Sequence, residues 1–225
     1  MIGVVVQARM SSARLPGKVL REVDGKPLLG YLLERLALAG QPEITVVATS
    51  DQPDDDPVAR LAGDLGVAVH RGPLADVGAR LAAAADTFGL EALVRISGDS
   101  PLLDPAIVDH AVELFREGDW DLVTNVFPRS FPVGESVEVL SRDALGRVLA
   151  ASSAADDREH VTRYVYEHPE SFRIRNFGCD EPASEIRLAV DSEDDLRHFE
   201  AIVSAMTAPH TEYGVRELLQ LERGL

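Results

Sequence analysis

Apolar and polar positions change period in blocks along this chain. Ile2 to Val6 is an unbroken apolar run, the pattern of a strand buried on both faces. Leu28, Leu29, Leu32, Leu33 and Leu36 then recur at helical spacing, which predicts a helix over about 27–38. The exchange repeats, with strands expected over 44–49, 67–71, 92–96 and 121–124 and helices over about 57–65, 74–88 and 105–115. Strands alternating with helices in this way predict a doubly wound α/β sheet. A later stripe, Leu196, Phe199, Ile202, Val203 and Met206, predicts one more core-facing helix.

The alternation falters between about 128 and 179. There FPRSFPVGESVEVLS and SFRIRNFG read as loops and two strands, and the expectation is a strand-containing excursion from the sheet. Spare strand edges need a partner, so such a segment covers a second ligand or forms a subunit contact. At 225 residues and 45% apolar content, the expected organisation is one domain over 1–225 with a real core.

Charge sharpens the picture. The chain carries a formal net charge of -16, yet residues 1–21 contain Arg9, Arg14, Lys18 and Arg21 and no acid. These groups follow the first strand, where an open α/β sheet presents its ligand loop, and a polyanion such as a triphosphate is the expected guest. Lysine occurs twice against twenty arginines, at Lys18 and Lys26. An ammonium reaches a single phosphate oxygen as a compact charge where a guanidinium presents a wide fork, so Lys18 reads as a phosphate ligand; Lys26 does not. The acidic balance argues against nucleic acid, which needs a broad basic face.

Other classes fall away. A P-loop would place Gly at position 12 and Ser or Thr at 19, where the chain has Ser12 and Val19, and no GxGxxG follows the first strand. The single cysteine, Cys179, excludes an internal disulfide. His160 and His168 are spaced too widely on one helix to share a metal ion, and His110, His198 and His210 read as helix surface. No apolar run approaches the ~20 residues of a membrane span, and the amino terminus lacks the order of a secretory signal; the expected location is the cytoplasm.

Two carboxylates stand out by position. Asp99, in RISGDSPLLDP, follows the strand at 92–96, and Asp191, in RLAVDSEDDL, follows a strand expected at 187–190. Both would lie at carboxyl ends of strands and could converge on one Mg²⁺, which prefers carboxylates, water and phosphate oxygens. Asp191 reads equally as a helix start. Asp54, Asp55 and Asp56 read as a solvated helix cap.

The strings QARMSSARLPGKVL, RISGDSPLLDP, DDREHVTRY and RLAVDSEDDL, in that order, resemble the acylneuraminate and 3-deoxy-manno-octulosonate (KDO) cytidylyltransferases, with the nearest likeness to the branch of spore coat polysaccharide biosynthesis proteins. The resemblance implies a Rossmann-like mixed sheet of the nucleotide-diphospho-sugar transferase type, often as a homodimer. It implies that CTP and a sugar acid give a CMP sugar and pyrophosphate, with Mg²⁺ on Asp99 and Asp191 as cofactor. By the same resemblance Ala8, Arg9, Ser11, Ser12, Arg14 and Lys18 hold the nucleotide, helped by Arg71, Asp76, Arg80 and Ser97. Asn125, Glu138, Asp157, Arg158 and His160 belong beside the acceptor, with catalysis resting on Lys18, Arg14, Asp99 and Asp191. Where the branch reads GLDVEV, this chain has Gly134, Glu135, Ser136, Val137, Glu138 and Val139, so an acid near the acceptor has become a hydroxyl. Two other functions fit a fold of this kind: a glycosyltransferase using a sugar nucleotide, against which stands the missing DxD motif, and a catalytically idle nucleotide-binding subunit.

Overall fold

The computed structural model describes residues 1–151, 158 and 160–225. Its centre is a seven-stranded sheet built from β1 (Ile2–Gln7), β4 (Ile44–Ser50), β5 (Ala68–Gly72), β6 (Ala92–Ser97), β7 (Leu122–Thr124), β8 (Glu138–Ser141) and β9 (Ile174–Asn176). The spatial order is β5-β4-β1-β6-β8-β7-β9. β8 alone among these strands runs antiparallel, paired with β6 on one side and β7 on the other. The strands expected between 128 and 179 are present as β8 and β9, and both are members of the main sheet.

Side chains alternate across β1. Val4 and Val6 enter a core with α1 (Leu28–Leu36), α2 (Asp56–Asp64) and α4 (Pro105–Arg116). Val5 enters the opposite core with α3 (Val77–Phe88), α5 (Arg142–Ala151) and α6 (Val161–Glu167). Burial on both faces explains why these strands read as continuous apolar runs. The Asp24–Gly25 pair, with φ of 50° and 73°, turns a small hairpin of β2 (Glu22–Val23) and β3 (Lys26–Pro27).

A third cluster joins the carboxyl-terminal helices α7 (Glu193–Ala205) and α8 (Val215–Glu222) to α1 through Leu28, Tyr31, Leu196, Phe199 and Leu218. Arg35, fully buried in α1, fastens this layer by donating to the carbonyls of Leu103, His210 and Tyr213. His210 is therefore not the exposed helix residue expected. Its ring is 10% exposed and meets Glu34, and burial lowers its pKa. Among the described residues no helix is long and apolar enough to cross a membrane.

The strand expected at 187–190 does not form. This segment makes one isolated bridge, Arg187 with Val133; the Leu188 and Ala189 amides both bond to the Val133 carbonyl and the Val190 amide to that of Asp99. A run of four residues carries the strand pattern but lies over the loop at 130–135 instead of along a sheet edge. Gly134 permits that crossing: its φ is +113°, and a Cβ there would stand 2.7 Å from the Ala189 nitrogen.

Candidate active site

The carboxyl ends of β1 and β6 open onto a cavity of about 340 Å³. Its wall on the β1 side is the loop from Ala8 to Gly17. Leu15 is buried, its amide bonds to Ser12 Oγ, and the Gly17 amide, at positive φ, closes the loop on the Met10 carbonyl at 2.8 Å. Asp55 fixes the loop from outside. It is 2% exposed and accepts from the Met10 amide at 2.6 Å and the Ser50 amide at 3.1 Å. The solvated cap expected of Asp55 is thus a buried tie between β4 and the basic loop.

Lys18 opens a short 3₁₀ turn, Lys18–Leu20, and projects its ammonium to 2.6 Å from Asp99 Oδ2 and 2.7 Å from Asp191 Oδ1. Arg14 reaches Asp191 Oδ2 at 2.9 Å and Arg187 stands 3.3 Å from the same oxygen. Burial pushes the Asp191 carboxyl up, but the bond and charge of Lys18, backed by Arg14 and Arg187, outweigh it and hold the group below the usual aspartate range.

Backbone geometry explains why these carboxylates meet. Asp99 follows β6 across Gly98, whose amide bonds to the Gln7 carbonyl at 2.8 Å; a Cβ on Gly98 would lie 2.9 Å from that oxygen. The Val190 amide bonds to the Asp99 carbonyl at 2.9 Å, which delivers Asp191 beside it. The start of α7 is capped by Ser192 with Asp195 in a reciprocal capping box, so Asp191 is not the cap and its side chain faces Lys18.

Among the expected residues, Ala8, Arg9, Ser11, Ser12, Arg14, Lys18, Arg80, Ser97, Asp99, His160 and Asp191 line the cavity. His160 is exposed and precedes α6. Arg80 is 2% exposed. Its Nη1 donates to the Pro73 and Leu74 carbonyls, while its Nε has no hydrogen-bond partner among the described residues. Burial first, then the neighbouring Arg9, lowers the Arg80 pKa.

Other expected residues stand outside the lining. Arg71 pairs with Asp56 and donates to the Ser50 and Gln52 carbonyls. Asp76 caps α3 through the Ala79 amide and pairs with Arg158. Asn125 is buried, donating to the Glu135 carbonyl and accepting from the Val137 amide. Both oxygens of Glu138 are engaged, one by Arg95 and one by the Tyr166 hydroxyl. Asp157 and Glu159 lie outside the described residues. Arg21 pairs with Glu193, and Lys26 with Glu34, neither in the cavity.

Arg95 is a lining residue that sequence reasoning missed. It sits on β6 in register with Glu138 on β8, and the sole signal was a charge inside an otherwise apolar strand. Ser136, the departure from the family pattern, accepts from Arg129 at 3.0 Å. Burial lowers the Arg129 pKa.

A cytidylyltransferase family model matches residues 3–213. The chain belongs to the cytidylyltransferase family. An uncharacterized protein of Methanocaldococcus jannaschii is 34% identical over 197 residues, covering 86% of this chain and 79% of that protein. The spore coat polysaccharide biosynthesis protein SpsF of Bacillus subtilis is 30% identical over 207 residues, covering 88% and 84%. A 3-deoxy-manno-octulosonate cytidylyltransferase of Geobacter sulfurreducens is 37% identical over 118 residues, covering 52% and 46%.

Solved structures agree in fold. A cytidylyltransferase from Leptospira borgpetersenii superposes with a TM-score of 0.94 at 31% identity, covering 99% of this chain and 94% of its own. CMP:2-keto-3-deoxy-manno-octonic acid synthetase complexed with CTP superposes at 0.71 and 16% identity, covering 90% and 98%. A manganese complex of a Mycobacterium tuberculosis protein superposes at 0.61 and 20% identity, covering 88% and 96%. These likenesses, with the β5-β4-β1-β6-β8-β7-β9 order, make the fold the mixed sheet of the nucleotide-sugar transferase type, and membership of the family makes the chain a nucleotidyltransferase.

Proposed function

We propose that this chain transfers a cytidylyl group from CTP to the hydroxyl of a small anionic acceptor of the sugar-acid kind, releasing pyrophosphate, in polysaccharide or glycoconjugate biosynthesis. The observation that carries the reading is the convergence of Lys18, Asp99 and Asp191 in a cavity edged by Arg9, Arg14 and Arg80. Cations and carboxylates alternate there within hydrogen-bonding distance. That is what a triphosphate needs: fixed positive charge for its oxygens and a place for a counter-ion at the reacting phosphorus.

In this reading the loop from Ala8 to Lys18 cradles the phosphates, and Ser12, tied to the Leu15 amide, keeps its curvature. Arg14, 67% exposed at the rim, and Lys18 stabilise charge on the departing pyrophosphate. Arg80, buried with its Nε unpartnered among the described residues, supplies a fixed positive charge beneath the nucleotide. The acceptor hydroxyl attacks the α-phosphorus in line from the side of Arg95, which lines the cavity and is held from behind by Glu138. Little covalent chemistry falls to the protein, and positioning carries the rate.

Mg²⁺ belongs to the same proposal. The donor set fits, since Asp99 and Asp191 offer only hard oxygens and already focus on one cation, the Lys18 ammonium. When bound there, a divalent ion neutralises phosphate oxygens and acidifies a nearby hydroxyl. A homodimer working in the cytoplasm completes the reading.

The test incubates the protein with Mg²⁺ and each nucleoside triphosphate over a panel of sugar acids, phosphorylated and phosphonate acceptors, measuring pyrophosphate. Release that requires CTP, metal and one acceptor supports the proposal. In a parallel incubation with sugar nucleotides in place of the triphosphates, transfer of the sugar to an acceptor with release of the free nucleotide overturns it in favour of glycosyl transfer.

A further inference from the structure

The Lys18 ammonium stands at the point where Asp99 and Asp191 converge, within 2.6 and 2.7 Å of one oxygen of each. Side-chain exposures are 12% for Lys18, 19% for Asp99 and 21% for Asp191. At that depth solvent and salt screen the three charges weakly, and two carboxylates so close would repel each other without a cation between them. Lys18 supplies that cation.

We propose that Lys18 is the resident counter-ion of the divalent-cation site and couples metal binding to nucleotide binding. The inference rests on the nucleotide reading above. A metal ion at the convergence of Asp99 Oδ2 and Asp191 Oδ1 would take the place the ammonium holds, and two cations so close repel each other. The ammonium must leave, and in the empty cavity it would leave two charge-assisted hydrogen bonds for water. A triphosphate changes this balance. Lys18 directly follows the loop that faces the phosphates, and its four-carbon stem carries a compact charge that can turn to a phosphate oxygen. The ammonium then exchanges carboxylate for phosphate, and the vacated oxygens take the metal.

Free metal therefore binds weakly and metal with nucleotide binds tightly. By linkage the metal raises nucleotide affinity by the same factor. A lysine that served only as a permanent brace would stay with the carboxylates and give no such coupling.

The experiment measures Mn²⁺ affinity without nucleotide, by electron paramagnetic resonance, for the wild type, Lys18→Met and Lys18→Gln. Both substitutions keep much of the stem and remove the charge, and circular dichroism checks that each folds. The expected result is a Mn²⁺ affinity roughly tenfold or more tighter in both variants, from the charge-assisted bonds no longer broken, together with weakened CTP binding. Adding Asp99→Asn to Lys18→Met should abolish the gain. Equal Mn²⁺ affinities in wild type and variants overturn the proposal. CTP binding to the wild type is measured separately: its absence, with or without Mn²⁺, overturns the nucleotide reading, while the Mn²⁺ affinities still decide the role of Lys18.

Discussion

The Val190 amide donates to the Asp99 carbonyl at 2.9 Å. Through this one backbone bond the turn after β6 and the segment before α7, from opposite halves of the chain, bring Asp99 and Asp191 to the same lysine. The bond is independent of either carboxylate. Replacing the side chains should disarm the site and leave the fold intact.

Asp99→Ala and Asp191→Asn should each lower turnover on the order of a hundredfold or more, the scale of losing one preorganised charge group. Pyrophosphate release at saturating CTP measures it, with circular dichroism as the control. Wild-type turnover in either variant would remove these carboxylates from the mechanism.

Gly98→Ala tests positioning without touching a charge. The added Cβ would meet the Gln7 carbonyl at 2.9 Å and the Ala8 Cβ at 3.0 Å, backbone and near-backbone atoms that cannot turn aside. The turn after β6 must shift away from β1, and a fraction of an ångström there separates Asp99 from Lys18. Turnover should fall at least tenfold with a stability loss of about 1–3 kcal/mol, the range for overpacking. Kinetics and urea unfolding of one preparation give both numbers.

Glu138 is 5% exposed and holds Arg95 and Tyr166 together across β6, β8 and α6. Glu138→Ala strands the Arg95 guanidinium, 21% exposed, and should cost about 2–3 kcal/mol, somewhat below the loss expected for a fully buried pair. The double variant with Arg95→Met should recover part of it in urea unfolding, because no unpaired charge remains.

Glu135 is fully buried, and burial, with the neighbouring Asp104, pushes its carboxyl up to about 8 even though it accepts from the Asp104 amide. An unfolded glutamate releases its proton near ~4.3. The folded state therefore holds a proton that the unfolded state has lost across this window, and stability falls as pH rises from the lower value to the higher. Glu135→Gln removes that slope. Its Tm advantage over the wild type should grow between pH 5 and pH 8; parallel Tm curves would contradict the assignment.

Much of this architecture was legible in the chain. The apolar run of β1, the leucine stripe of α1 and the acid-free basic stretch carry their meaning locally, as does the Gly before Asp99. What stayed hidden depends on partners distant in sequence. The pattern at 138–141 reads as a strand, but nothing in it says that the strand inserts antiparallel between β6 and β7. Asp55 reads as a surface acid because two of its donors, the Met10 and Ser50 amides, are backbone groups that any sequence supplies, and nothing local marks the third, the Ser50 hydroxyl, as its partner. The run at 187–190 has strand composition, and only the Asp99 and Val133 carbonyls, with the space left by Gly134, decide that it crosses a loop. Arg95 is unexpected for the same reason, since its counter-charge lies on β8.

Phosphorus-31 NMR of the protein with CTP, Mg²⁺ and the acceptor panel tests the central claim most directly, because it reports which phosphorus is attacked. Attack at the α-phosphorus predicts a cytidylylated acceptor and pyrophosphate appearing in equal amounts, from CTP in preference to other triphosphates. CDP with a phosphorylated acceptor, or CDP with inorganic phosphate, would place the attack at the γ-phosphorus and contradict the account.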